Sequence, residues 1–77
     1  MATTKVKLTN VPQQISAANL PAYVQSHGVP FLFAFSAAQP TDLSAYHMDM
    51  KIYTDGALGA MWAWLPHDNE AYVSVST

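Results

Sequence analysis

The fold is decided by one apolar segment near the middle of the chain, which reads Val29-Pro30-Phe31-Leu32-Phe33-Ala34-Phe35-Ser36-Ala37. In an extended strand, alternate side chains point to opposite faces, so the three phenylalanines line one face while Leu32 and Ala34 line the other. Both faces are apolar, whereas a strand with one face in water alternates apolar with polar residues. The segment therefore predicts a strand covered on both faces, by its own domain alone or by its own domain and a partner.

A second apolar segment, residues 60–65, repeats this pattern with two tryptophans. Trp62 and Trp64 share one face, and Met61, Ala63 and Leu65 share the other. Two such strands in a chain of 77 residues predict that copies of the protein cover one another. The residues predicted to lie in the core or in an interface between subunits are Phe31, Phe33, Phe35, Trp62 and Trp64.

The composition also favours self-association. Apolar residues make up 51% of the chain and charged residues 10%, whereas charged residues are about 25% of a typical soluble domain. No Asp, Glu, Lys or Arg occurs between Leu8 and Thr41. Cysteine is absent, so no disulfide can support this small domain, and oligomerisation is the remaining support that the composition allows.

Extended segments separated by turn formers continue along the whole chain. Strict alternation in residues 71–76 directs Val73 and Val75 inward and Tyr72 outward. The pattern predicts one all-β domain over residues 1–77, an antiparallel sandwich or barrel, jelly-roll-like, of about six to eight strands. Residues 1–4 are predicted as an extended N-terminal arm, and His27-Gly28 as the turn of a hairpin that leads into the phenylalanine strand.

Motifs for catalysis and for cofactor or metal binding are not evident. His27, His47 and His67 are far apart in the sequence and each borders a turn, without a metal-ligand spacing. Neither a Gly-x-Ser-x-Gly elbow nor a glycine-rich phosphate loop occurs. We therefore predict no enzymatic activity, no cofactor and no metal site.

Nucleic acid and membrane are also not expected as partners. Three lysines, no arginine and a net charge of −2 provide few phosphate contacts. No apolar run approaches the about 20 residues that a membrane-spanning helix needs, and the N-terminus lacks the pattern of a secretory signal. One alternative remains open, in which Tyr53 and Tyr72 form an aromatic platform for a ligand, joined by Trp62 and Trp64 around a groove.

The order of several segments resembles that of small all-β virion proteins from the structural gene clusters of tailed bacteriophages. The likeness covers roughly residues 20–77 and rests on Ala22–Ser26, Phe35-Ser36-Ala37-Ala38-Gln39-Pro40, Tyr46-His47-Met48, Asp55-Gly56, Met61-Trp62-Ala63 and Val73-Ser74-Val75. The resemblance implies a non-enzymatic virion protein, made in the host bacterial cytoplasm, that decorates a capsid or belongs to a tail or fibre. It also implies a homo-oligomer, with a trimer favoured, that contacts other virion proteins. The competing interpretation is a carbohydrate-binding β-sandwich module that uses surface aromatics.

Overall fold

The computed structural model describes residues 2–77, and in this range all regular structure is β-strand. The predicted all-β fold is therefore confirmed. The eight strands are β1 Thr3–Leu8, β2 Gln13–Ser16, β3 Ala22–Ser26, β4 Phe31–Phe35, β5 His47–Asp49, β6 Lys51–Thr54, β7 Met61–Trp64 and β8 Ala71–Ser76.

The strands form two four-stranded antiparallel sheets that pack as a β-sandwich. Sheet A has the order β1-β8-β3-β6, and sheet B has the order β2-β7-β4-β5. The first strand pairs with the last, the second with the seventh, the third with the sixth and the fourth with the fifth. This is an antiparallel ribbon rolled up so that β8 also meets β3 and β7 also meets β4, which is the connectivity of a jelly roll.

The predicted hairpin between β3 and β4 is wrong. Strand β3 lies in sheet A beside β6 and β8, whereas β4 lies in sheet B between β7 and β5. Residues 27–30 therefore cross from one sheet to the other. Pro30 directly before β4 has no N–H to donate to a ladder. As an inner strand of sheet B, β4 pairs with β7 on one side and β5 on the other.

The predicted N-terminal arm is also not free. Ala2 and Thr77 exchange two main-chain hydrogen bonds of 3.0 Å, and Thr3 and Thr4 continue the ladder opposite Ser76 and Val75. Met1 lies outside the described residues. Strand β1 therefore includes Thr3 and Thr4, which the sequence pattern assigned to the arm. Strand β8 pairs with β1 over its whole length.

The inner faces of the two sheets meet in one apolar core. Phe33 lies at its centre, with ring centroids 5.6 Å from Phe31 and 6.0 Å from Phe35. Phe31 and Phe33 are buried, and Phe35 is partly buried against them. The fully buried part of this cluster consists of Leu8, Val24, Phe31, Phe33, Met61, Ala63, Leu65, Val73 and Val75.

The outer side of the inner strands of sheet B is largely covered by the chain itself, whereas Met48 of the edge strand β5 is exposed. The register places Leu32 opposite Trp64 and Ala34 opposite Trp62, so these residues point away from the core. Even so, Trp64 is only 2% exposed and Leu32 only 7%. Residues 36–46, which we call the covering segment, run across this face.

Several contacts hold the covering segment in place. Trp62 Nε1 donates a hydrogen bond of 3.0 Å to the Ser36 carbonyl, and Gln39 Nε2 donates one of 3.0 Å to the Pro12 carbonyl at the far side of the sheet. Leu43 and Tyr46 line the same groove as Leu32 and Trp64. The sequence left open whether this face is covered by the strand's own domain or by a partner. A segment of the same chain lies there, so the two-sided apolar pattern does not require another copy, and self-association stays a prediction.

Candidate functional site

The outer face of sheet A carries an unusual set of side chains and is covered by no other described segment. Strand alternation brings to it all three lysines of the chain and three of its four tyrosines. Tyr53 is 64% exposed, Tyr72 47% and Tyr23 38%. We call this surface the tyrosine–lysine face; its members are Lys5, Lys7, Tyr23, Gln25, Lys51, Tyr53, Tyr72 and Ser74.

The register arranges these residues in rows across the four strands. Tyr23 lies directly opposite Tyr53, close enough for the two side chains to touch. The next outward row contains Lys5, Ser74, Gln25 and Lys51. Beyond it, Lys7 lies opposite Tyr72. A lysine row therefore separates the tyrosine pair from the third tyrosine.

The three lysines differ in how they are paired. Lys7 Nζ lies 3.1 Å from a carboxylate oxygen of Glu70, and this hydrogen bond and charge raise the pKa of Lys7. Lys5 Nζ lies over the Tyr72 ring, 4.7 Å from its centroid, which is a cation–π contact. Within residues 2–77, neither Lys5 nor Lys51 forms an ion pair. These two cations remain open to an anionic ligand.

One contact on this face involves a nucleophile and a base. His27 Nε2 lies 2.6 Å from Ser74 Oγ. A catalytic pair of this kind needs a third group that orients the histidine, and no described carboxylate bonds to His27. The hydrogen bond joins β8 to the start of the β3–β4 connection.

The three histidines lie on separate elements. His27 follows β3, His47 is in β5, and His67 is in the β7–β8 turn. Among residues 2–77, no group of three potential metal-ligating side chains is close enough to hold an ion. In the same range, the chain has no helix with the length and apolarity needed to cross a bilayer.

A second exposed region lies where β5 and β6 form neighbouring edges of the two sheets. Met48 and Leu58 are 62% and 69% exposed, and the His47 ring packs 5.5 Å from that of Phe33. We call this region the open edge; its groove, of about 380 Å³, is lined by Phe33, Phe35, His47, Met48, Asp49, Ile52 and Leu58.

The residues singled out from the sequence are distributed over three places. Phe31, Phe33 and Phe35 lie in or against the core. On the outer face of sheet B, Trp64 is buried and Trp62 is partly buried beside the covering segment. Tyr53 and Tyr72 lie on the outer face of sheet A, so the groove that combines both tryptophans with Tyr72 is not assembled.

The sequence pattern did not reveal that the lysines lie beside the tyrosines on one sheet face. The outward direction of Lys5 and Lys7 was evident from the alternation in β1. Their position beside β8, and two strands from β3, follows only from the sheet order.

No protein-family model, curated protein or solved structure matches this chain. The function is therefore argued from its two exposed regions, the tyrosine–lysine face and the open edge.

Proposed function

We propose that the protein is a non-enzymatic structural protein of a bacteriophage particle, which associates with copies of itself and with capsid or tail proteins. Its strand connectivity supports this, because jelly rolls recur in viral capsid domains and also in lectins. One fold hosts many functions, so the function has to be inferred from the exposed surface. The apolar open edge is the observation that supports the proposal.

The open edge has the features of a contact between protein subunits. Met48 and Leu58 both line this groove, together with Phe35 and Ile52, so two strongly exposed apolar residues lie at the same edge of the sandwich. Methionine side chains adapt readily to a partner's shape. Strands β5 and β6 each pair on one side only, so a segment that fills the groove also meets free main-chain donors and acceptors.

A second copy of the chain is the proposed occupant of this groove. In the proposed ring, the open edge of each copy receives a surface of the next copy, so that the ring closes. A ring of three copies accords with the resemblance to phage virion proteins.

Sedimentation equilibrium tests the association. The native protein should reach the mass of three chains of 8.4 kDa in the micromolar range. Met48→Lys and Leu58→Lys should each shift it towards the mass of one chain, because a charge is costly to bury in an apolar contact. Val11→Lys is the matched control, since Val11 is 55% exposed in the β1–β2 turn. A native protein of single-chain mass at high micromolar concentration, or an equal effect of Val11→Lys, contradicts the proposal.

Location in a particle needs a separate measurement. Mass spectrometry of phage particles purified from the source culture should detect the protein in a fixed ratio to the major capsid protein. A protein that is abundant in the infected cells and missing from the particles contradicts the virion assignment.

Carbohydrate binding is the second candidate function, and the tyrosine–lysine face favours it. Sugar rings stack on exposed aromatic side chains, and Tyr23, Tyr53 and Tyr72 share one exposed sheet face. The two tryptophans are not part of this proposed glycan site, because they lie on sheet B at the covering segment. Loss of glycan binding in Tyr72→Ala, with binding retained in Tyr46→Ala, is the expected result.

A further inference from the structure

We infer that the tyrosine–lysine face binds an anionic polysaccharide, whose sugar rings stack on the tyrosines and whose acidic groups pair with Lys5 and Lys51. This inference rests on the second candidate function, carbohydrate binding, and adds the charge of the ligand.

The charges of the chain are segregated. The net charge is −2, yet all three lysines lie on one face of one sheet. Of the five acidic residues, Glu70 contacts a lysine of this face. Asp42 lies in the covering segment, Asp49 in β5, and the remaining two in turns. The surface that is complementary to this face is therefore negatively charged.

The spacing of the rows suits a chain that lies along the strands. Tyr72 and Ser76 are four residues apart in β8, about 13 Å, and Ser76 lies beside Tyr23. Lys5 Nζ lies over one face of the Tyr72 ring, so a linear ligand stacks on the other face. Such a ligand, with its other end on the Tyr23–Tyr53 pair, passes over the lysine row between them.

The lysine row supplies the polar contacts for such a ligand. Lys5 and Lys51 lie at its two ends, three strand spacings apart, about 14 Å, with Ser74 and Gln25 between them. Hydroxyl and amide groups match the hydroxyls of sugars, and the two ammonium groups match acidic groups carried by some of the sugars.

The same features disfavour a nucleic acid ligand. Affinity for a nucleic acid increases with the number of phosphates that are neutralised. Lys7 is already paired with Glu70, so among residues 2–77 two lysines remain without an ion-pair partner, on a chain whose net charge is −2. A polysaccharide with acidic groups on only some of its sugars requires fewer cations.

Isothermal titration calorimetry of the full chain tests the inference. The probes are polygalacturonate and dextran sulfate as anionic polymers, neutral dextran, and single-stranded poly(dT). Tyr53→Ala removes the most exposed ring of the face, and Tyr72→Ala removes a ring on another strand. Tyr46→Ala is the matched aromatic control, because Tyr46 is 49% exposed in the covering segment.

A second pair of variants isolates the charge. Lys51→Gln and Thr41→Glu each lower the net charge by one, the first on the tyrosine–lysine face and the second on the covering segment. Circular dichroism and a urea midpoint like those of the native protein establish that each variant is folded.

The inference predicts that at least one anionic polysaccharide binds and that its affinity decreases with added salt. Tyr53→Ala, Tyr72→Ala and Lys51→Gln should each weaken binding about tenfold, while Tyr46→Ala and Thr41→Glu change it less than twofold. Equal affinity for neutral dextran would contradict the inferred negative charge of the ligand but would agree with carbohydrate binding. Tighter binding of poly(dT), absence of binding to every glycan, or equal losses in the control variants overturns the inference itself.

Discussion

The indole Nε1 of Trp62 donates a hydrogen bond of 3.0 Å to the main-chain oxygen of Ser36. Ser36 N also donates a hydrogen bond of 2.9 Å to the Ala60 carbonyl. The covering segment therefore begins with two anchors to β7 and to the residue before it. Through these contacts, a strand with two apolar faces is enclosed within a single molecule.

Trp62→Phe should loosen the covering segment. The phenyl ring retains much of the apolar contact but cannot donate to Ser36, so the free energy of unfolding should decrease by about 1 kcal/mol. Amide hydrogen exchange within residues 36–46 should accelerate, whereas exchange in β8 should not. Tyr53→Phe, which alters an exposed ring on the other sheet, is the control. Unchanged exchange in residues 36–46 of Trp62→Phe would show that this hydrogen bond does not hold the segment.

Gly56→Ala should destabilise the protein more than Gly59→Ala. Both glycines have a positive φ, 91° and 101°, so alanine is strained at either position, by about 1–2 kcal/mol. At Gly56, the added Cβ would also lie 2.6 Å from the Asn19 carbonyl carbon, whereas at Gly59 it would meet no described atom within 4 Å. Urea denaturation should give a loss of about 3 kcal/mol or more for Gly56→Ala. Equal losses of stability in the two variants would contradict the close approach between the loop that contains Gly56 and the loop that contains Asn19.

Ser16→Ala should leave the protein as stable or make it more stable. Ser16 is 6% exposed, and its hydroxyl has no hydrogen-bond partner among the described residues. Removing a buried, unpaired hydroxyl eliminates its desolvation cost, so the free energy of unfolding should increase by up to about 1 kcal/mol. Thermal denaturation measures this change. A clear decrease would mean that the hydroxyl is bonded in solution.

Asp42 should titrate below the usual range of an aspartate. The hydroxyl and main-chain N–H of Ser44 donate hydrogen bonds to its carboxylate, at 2.5 and 3.1 Å, and these bonds lower its pKa. The resulting stabilisation is present above the pKa of the unfolded chain, about 3.9, and is lost as the pH falls through the lower pKa of the folded state. In an NMR titration, Ser44→Ala should raise the pKa of Asp42 towards its usual value. Identical titration curves for the two proteins would exclude the hydroxyl as the cause.

The directions of side chains could be predicted from the sequence, but the neighbours of each strand could not. Alternation in β8 placed Val73 and Val75 inward and Tyr72 outward, and the structure agrees. The hairpin at Gly28 was wrong because a turn signal shows where the chain bends and not which strand it joins. In this fold, Thr3 pairs with Ser76, at the opposite end of the chain, and no local pattern specifies that contact.

The covering segment could not be predicted for a related reason. Turn formers between the extended segments predict irregular connections, and residues 36–46 contain no strand. What keeps it over Trp64 is a set of contacts to distant residues, such as that between Gln39 and Pro12. The tyrosine–lysine face was missed in the same way, because Lys5, Tyr23 and Lys51 come together only through the sheet order.

Residues 36–46 shield the tryptophans of their own chain, and tryptophan fluorescence on dilution measures this shielding. The emission spectrum and its quenching by acrylamide should be measured from high micromolar to nanomolar concentrations, with sedimentation identifying the range in which single chains prevail. We expect blue-shifted emission and weak quenching of the buried Trp64 that do not change with dilution, because residues 36–46 belong to the same chain. A red shift and stronger quenching on dilution would show instead that the tryptophans are covered by a neighbouring molecule.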